Sequence, residues 1–417
     1  MKLALLAFAL PSLAPQAPSA PQGIPVASDL VVQRCSACHT RDSTGRMSRI
    51  SYLRKTPEGW QMSIRRMVVL NDVQLEPADA REIVRYLATR HGLAPEELEP
   101  GRFEVERRSI DYTYSPDRDT ERTCRACHSM GRVITERRTK DEWGLLVAMH
   151  RGYYPDVDFQ AFRRGGPPPD TGDARHPMDQ AIEHLARAFP LDTREWAAWS
   201  ATMRPPRLAG TWALSGHEPG RGPVYGRMVI AANPAAPDEF TTEATYVYAA
   251  DGRRVTRRGR ALVYTGYQWR GRSTEGSNEE TELREVMVVA RDWNEISGRW
   301  FTGGYDELGL DVTARRLDGG ARVSGVCPPS LRAGAQAQEV RVYGGNLPSG
   351  PVTSFDFGPG IRVAGVASAR SDLVTLRVTV ATDAAVGARD LFVAGRHLER
   401  ALVVYDTVHR VKIAPEA

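Results

Sequence analysis

Cys35-Ser36-Ala37-Cys38-His39 and Cys124-Arg125-Ala126-Cys127-His128 decide how this chain is read. Each is a Cys-x-x-Cys-His unit. Two thiols three residues apart suit thioether bonds to the two vinyl groups of one haem, and the adjacent histidine is then held against the iron. Two units predict two covalently bound haem c groups, attached through Cys35, Cys38, Cys124 and Cys127, with His39 and His128 as axial ligands. A zinc site would need paired ligands close by at metal spacing, and the sequence offers none. A redox dithiol would sit between a strand and a helix, whereas these flanks read as helical.

Outward from the motifs the chain repeats itself. Leu53-Arg54-Lys55-Thr56-Pro57-Glu58-Gly59-Trp60 follows the first, and Glu136-Arg137-Arg138-Thr139-Lys140-Asp141-Glu142-Trp143 follows the second. Both read as a basic pair, a threonine N-cap and a helix that opens just before tryptophan. Pro57 suits the first helical position, and Thr139 with Glu142 has capping-box spacing. Trp60, Ile64, Met67 and Val68 then form one apolar stripe, as do Trp143, Leu146, Val147 and His150. Seven residues after each tryptophan stand Met67 and His150, the two common sixth ligands of c-type haem. Met67 is therefore read as the distal ligand of the first haem, with Met62 and Met47 as alternatives. His150 is read as that of the second, with His176, His184 and Met149 as alternatives.

A closing helix at about 77–90 buries Ile83, Val84 and Leu87, and another at about 178–189 buries Ile182, Leu185 and Phe189. Between the second ligand and closing helices, Arg163-Arg164-Gly165-Gly166-Pro167-Pro168-Pro169 cannot be helical and reads as a loop at a haem edge or partner surface. Motif, ligand and closing helices, twice over, predict an α-helical di-haem cytochrome c domain at 23–206, in repeats of about 23–100 and 101–206.

The 417 residues exceed one compact core. Net charge is only +4, with no basic block to suggest nucleic acid. Met1-Lys2, an apolar run from Leu3 to Leu10 and small residues after Pro11 read as a signal peptide at 1–22. The run falls far short of the ~20 residues that span a membrane. The expectation is an exported, periplasmic protein. A helix at about 192–203 carries Trp196 and Trp199, and Pro205-Pro206 ends the helical region. Short strands separated by turns such as Asp251-Gly252 then predict an antiparallel β-barrel at 207–318. An Ig-like β-sandwich follows at 319–406, with 407–417 a tail or the start of a missing fourth domain. Cys327, near the first sandwich strand, has no evident partner. Nothing in the β regions reads as a catalytic cluster, so their expected role is docking.

The arrangement resembles the α subunit of quinohemoprotein amine dehydrogenase. The resemblance rests on both haem motifs, on the Trp60/Met67 and Trp143/His150 repeat, and on Gly210-Thr211-Trp212-Ala213-Leu214-Ser215-Gly216 with Pro219-Gly220-Arg221-Gly222. It implies a periplasmic enzyme that oxidises primary amines at a cysteine tryptophylquinone in a small γ subunit, completed by a β-propeller subunit. The α subunit would carry electrons from the quinone to a soluble acceptor such as azurin or a small cytochrome c. Family α subunits have three β domains after the haem domain, and this chain ends where the third would start. Methionine ligation raises haem potential, so electrons should enter at the His128/His150 haem and leave from the His39/Met67 haem. Two rival readings are a di-haem peroxidase, which needs an open sixth position, and a haem protein whose β domains are binding modules.

Overall fold

The computed structural model describes residues 23–102, 116–157, 159, 177–303 and 308–408. The expected signal peptide, the proline-rich segment at 163–169, His176 and tail residues 409–417 lie outside the described residues. The described helices are α1 (Asp29–Cys35), α2 (Pro57–Asn71), α3 (Pro77–Arg90) and α4 (Pro95–Leu98), then α5 (Arg118–Cys124), α6 (Gly131–Ile134), α7 (Lys140–Tyr153), α8 (Pro177–Ala188) and α9 (Arg194–Thr202). The expected caps form. Thr56 Oγ1 accepts from Gly59 N at 3.2 Å and Thr139 Oγ1 from Glu142 N at 3.2 Å, with Pro57 opening α2. The reciprocal half of the capping box is diverted at α7, because the Glu142 carboxylate pairs with Arg49 at 2.9 Å.

The first region is not the α-helical cytochrome c domain that the sequence predicts. Helix makes up only 28% of the described residues, and the region contains a β element between its halves. Strands β1 (Leu53–Lys55) and β2 (Glu136–Arg138) pair antiparallel, with Arg54 opposite Arg137. The reason lies in the caps. A helix N-cap holds extended backbone, as Thr56 and Thr139 do here. Two extended lead-ins laid side by side satisfy each other's N–H and C=O groups. The basic pairs are buried rather than solvated. Glu97 accepts from Arg54 at 2.6 and 2.8 Å and lies 3.3 Å from Arg137. Glu136 meets Lys55 at 3.1 Å and Arg138 at 2.6 Å. Burial alone would raise the Glu136 carboxyl, but Arg138 and Lys55 outweigh it and hold it at about 2.

Eight strands, β3 (Gly210–Glu218), β4 (Gly222–Asn233), β5 (Ala236–Tyr248), β6 (Arg254–Tyr264), β7 (Gln268–Glu275), β8 (Asn278–Val289), β9 (Glu295–Phe301) and β10 (Gly309–Arg316), form an up-and-down barrel closed by β10 on β3. Its interior is filled by large side chains including Trp212, Trp269, Trp300, Phe240 and Tyr246. The barrel docks on the first repeat and on α9, where Trp199 Nε1 donates to Thr265 O at 2.9 Å. Arg85 of α3 pairs with Asp238, Arg270 with Glu58 of α2, and Tyr267 Oη donates to Leu93 O at 2.9 Å. Two four-stranded sheets follow. Their orders are β11-β13-β16-β15 and β12-β18-β17-β14, with β11 (Arg322–Cys327), β12 (Ser330–Arg332), β13 (Gln338–Gly345), β14 (Phe355–Asp356), β15 (Ile361–Arg370), β16 (Leu373–Val380), β17 (Gly387–Val393) and β18 (Arg396–Tyr405). Along β16, Val374, Leu376, Val378 and Val380 are all buried, the alternation of a strand with one face on a core. Cys327 is partly exposed, and Arg341 Nη2 lies 3.3 Å from its sulfur.

The repeat extends further than its sequence shows. Lys55 N donates to His91 O at 3.0 Å, and Arg138 N donates to Phe189 O at 3.2 Å. Phe189 therefore occupies the place of His91 and carries the Arg137 guanidinium 4.9 Å above its ring. His91 is fully buried beside Trp60, and burial together with the Arg54 charge lowers its pKa from 6.5 to about 3. The native state refuses a proton that the unfolded chain accepts. This contribution is whole above about pH 6.5 and is lost at about 1.4 kcal/mol per pH unit as pH falls toward about 3. His91→Phe should flatten the pH dependence of unfolding free energy between about pH 4 and 6 by about one proton. Denaturant titrations across that window check it, and an unchanged slope would refute it.

Candidate haem sites

Each motif begins where a short helix ends. Helix α1 is capped by Ser28, whose Oγ accepts from Val31 N at 3.3 Å, and it ends at Cys35. The chain then turns back on itself, with Cys38 N and His39 N both donating to Cys35 O, at 3.2 and 2.9 Å. Helix α5 is capped by Asp117, which accepts from Thr120 N at 2.8 Å, and it ends at Cys124. All four motif cysteines are free, with Cys38 and Cys127 exposed and Cys35 and Cys124 partly buried. Burial pushes the Cys124 thiol up to about 12, with Asp117 adding to it, and raises Cys35 as well.

The histidines share one device. His39 Nδ1 meets Ser48 O at 2.8 Å, and His128 Nδ1 meets Ser129 O at 2.9 Å. A carbonyl is only an acceptor, so the proton sits on Nδ1 and Nε2 keeps its lone pair. This is the tautomer and orientation of a metal-bound imidazole whose outer nitrogen is anchored. His150 follows suit, its Nδ1 meeting Leu146 O at 2.8 Å one turn back on α7. Burial lowers the His128 pKa, and the charges of Arg132 and His150 lower it further.

Of the alternatives for the second distal position, His184 is engaged with Asp117 at 3.4 Å and Met149 is half-buried on the same helix as His150. In the first repeat, Met67 is half-buried on α2, with Asn71 Nδ2 4.0 Å from its sulfur. Met47 is fully buried in the core with Val26, Val31, Ile50 and Trp60, and Met62 is half-buried. Asn71 also donates to Tyr153 Oη at 3.3 Å, linking the C-terminal ends of α2 and α7. The sequence reading missed this contact, because only the fold brings those ends together.

The apolar stripe on α2 also needs correction. The buried residues of α2 all fall between Pro57 and Ile64, whereas Val68, Val69 and Leu70 are exposed by 38, 65 and 53%. Helix α7 likewise shows Leu145 and Tyr153 to solvent, and Tyr154 follows. Apolar surface beside Met67 and His150 that the protein core does not cover suits a flat apolar group such as haem. The residues present thus fit haem on two counts, the anchored imidazoles and the uncovered apolar faces.

No curated protein matches the chain. Among solved structures, a redesigned β-barrel (b11L5F_LGL) matches at 17% identity and a TM-score of 0.23, covering 27% of this chain and 92% of its own. Another redesigned barrel, mFAP1 bound to DFHBI, matches at 19% identity and a TM-score of 0.23, covering 26% and 94%. Likeness this slight carries no argument. The family matches are of another kind. Residues 26–196 match the haem-binding part of the quinohemoprotein amine dehydrogenase alpha subunit, 205–317 match its domain II and 320–406 its domain III. Running in order from residue 26 to residue 406, they make this chain a member of the quinohemoprotein amine dehydrogenase alpha-subunit family.

Proposed function

We propose that the chain is the di-haem electron-transfer subunit of a periplasmic amine dehydrogenase complex. It holds one haem c through Cys35, Cys38 and His39, and a second through Cys124, Cys127 and His128. Met67 and His150 serve as the distal ligands. The observation that carries this reading is the pair of motif histidines, each with Nδ1 tied to a backbone carbonyl. The family match supports the haem and the membership of a complex. Among the described residues, no helix is long and apolar enough to cross a membrane. The division at 206/207 and 318/319, the signal peptide at 1–22 and export to the periplasm belong to the same proposal. So do the partners: a β-propeller subunit, a γ subunit bearing cysteine tryptophylquinone, and azurin or a small cytochrome c as acceptor.

The chain's own residues do the positioning. Ser48 and Ser129 carbonyls orient His39 and His128, and the Leu146 carbonyl orients His150. Trp60 and Trp143, both buried, fix the start of each ligand helix against its core. When bound, the two haems supply one-electron carriers of unequal potential, with the His39/Met67 side the higher and therefore the exit.

The denatured protein in alkaline pyridine should give the haem c spectrum at two haems per chain. Cys124→Ala/Cys127→Ala should lower this to one, and absence of covalent haem would overturn the proposal. Potentiometric titration should resolve two one-electron couples in the wild type. Met67→His should move only the higher couple downward, because imidazole stabilises the ferric state relative to thioether. Unchanged couples would remove Met67 as a ligand.

A further inference from the structure

The anchor of His39 is built differently from that of His128. His128 Nδ1 meets the carbonyl of the next residue, Ser129, whereas His39 Nδ1 reaches Ser48, nine residues on. Ser48 is fastened through both backbone groups. Its N–H donates to Thr40 O at 2.9 Å. Its carbonyl accepts from Ile50 N at 2.8 Å as well as meeting His39 Nδ1 at 2.8 Å. The bond from Ile50 N back to Ser48 O closes a three-residue γ-turn with Arg49 at its centre, at φ 66° and ψ −49°. A γ-turn of positive φ is the rare and strained form, and a residue with a Cβ keeps it only where its surroundings enforce it.

The enforcement comes from the other repeat. Arg49 Nε lies 2.9 Å from Oε2 of Glu142, a buried carboxylate in the first turn of α7. Glu142 is itself placed by the Thr139 cap, which takes its N–H at 3.2 Å. The peptide between residues 48 and 49 carries the Ser48 carbonyl, and the φ of Arg49 sets its tilt. A return of Arg49 to negative φ swings that carbonyl away from His39. The arrangement runs one way only. By the register that sets Arg54 opposite Arg137, Arg49 corresponds to Arg132 and Glu142 to Gly59. Gly59 has no carboxylate, so the first repeat returns no such pair to the second.

We infer that Arg49 is a positioning residue for the first haem: paired with Glu142 of the second repeat, it holds the strained turn that aims Ser48 O at His39 Nδ1. The inference rests on the di-haem reading above. It makes α7, the helix of His150, also the support of the proximal ligand in the other half. An imidazole that gives its Nδ1–H to a carbonyl is a stronger donor to iron. Loss of that bond weakens the donor, favours the ferrous state and raises the potential. Loss of a nearby cation acts with the opposite sign, because positive charge favours the more reduced iron.

Arg49→Ala and Arg49→Gly, each purified as the holoprotein, separate these two effects. Both remove the charge, but only glycine accepts positive φ freely and so keeps the turn. In Arg49→Ala the higher couple should move to more positive potential while the lower couple stays in place. Arg49→Gly should return the higher couple toward its wild-type value. An unmoved higher couple in Arg49→Ala, a move to more negative potential, or equal shifts in the two variants overturns the assignment. If Arg49→Ala yields no holoprotein, Glu142→Ala reaches the turn from the other side. In its reduced form, followed by proton NMR, the Nδ1 proton of His39 should exchange with heavy water several-fold faster than in the wild type. That of His128 should keep the wild-type rate. An unchanged rate at His39, or an equal rise at both histidines, overturns the assignment as well. Absence of covalent haem would contradict the di-haem reading itself, an outcome separate from all of these.

Discussion

Leu53–Lys55 and Glu136–Arg138 pair as a three-residue antiparallel ribbon, and both repeats hang from it. Its central pair, Arg54 opposite Arg137, places two buried guanidinium groups where, among the described residues, Glu97 alone pairs with both. Arg54 also donates to Leu191 O at 2.8 Å and Gly92 O at 3.1 Å, one carbonyl from each repeat. Glu97 is locked in turn by Ala94 N at 2.9 Å and Thr193 Oγ1 at 2.7 Å. Burying such charges costs several kcal/mol each, and the cost is met only while every partner stays in place. The network therefore acts more as a specifier of arrangement than as a reserve of stability. Each strand runs directly into an N-cap threonine, so the ribbon sets where both ligand helices begin. It thereby sets where Met67 and His150 lie.

Around that ribbon the two halves have diverged at matched positions. Met67 stands in register with His150, and His91 with Phe189. Trp60 gives its N–H to the backbone while Trp143 withholds it. Each difference is local, and the shared frame keeps the two sites comparable. The barrel meets both repeats: its ion pairs with Arg85 and Glu58 and its contact to Leu93 fall on the first, and Trp199 of α9 donates to Thr265 O from the second.

The threonine caps were legible along the chain, because a cap is a short-range pattern that backbone geometry translates directly. The motif cysteines and histidines and the Trp-plus-seven register are short-range patterns of the same kind. The architecture was less so. The basic pairs read only as the lead-in to a helix, because nothing local distinguishes Arg54 facing Glu97 from Arg54 facing water. The α-helical first domain followed from the motif, ligand and closing helices, and the ribbon corrects it. Val68 looked like a core residue because helical periodicity cannot say where the core stops covering the helix. The barrel strands were found in part. Their lengths were not, because ladder partners far along the chain decide them, as when β10 closes on β3. Asn71 meeting Tyr153 carries no sequence signal at all.

We propose that one repeat presents methionine and the other histidine to otherwise similar iron sites. Near-infrared magnetic circular dichroism of the oxidised holoprotein tests it most directly, since charge-transfer bands of low-spin ferric haem separate these ligand pairs. Two bands of equal weight are expected, one from His/Met and one from His/His ligation. A single band from two identical haems, or a high-spin signal from either, would contradict it.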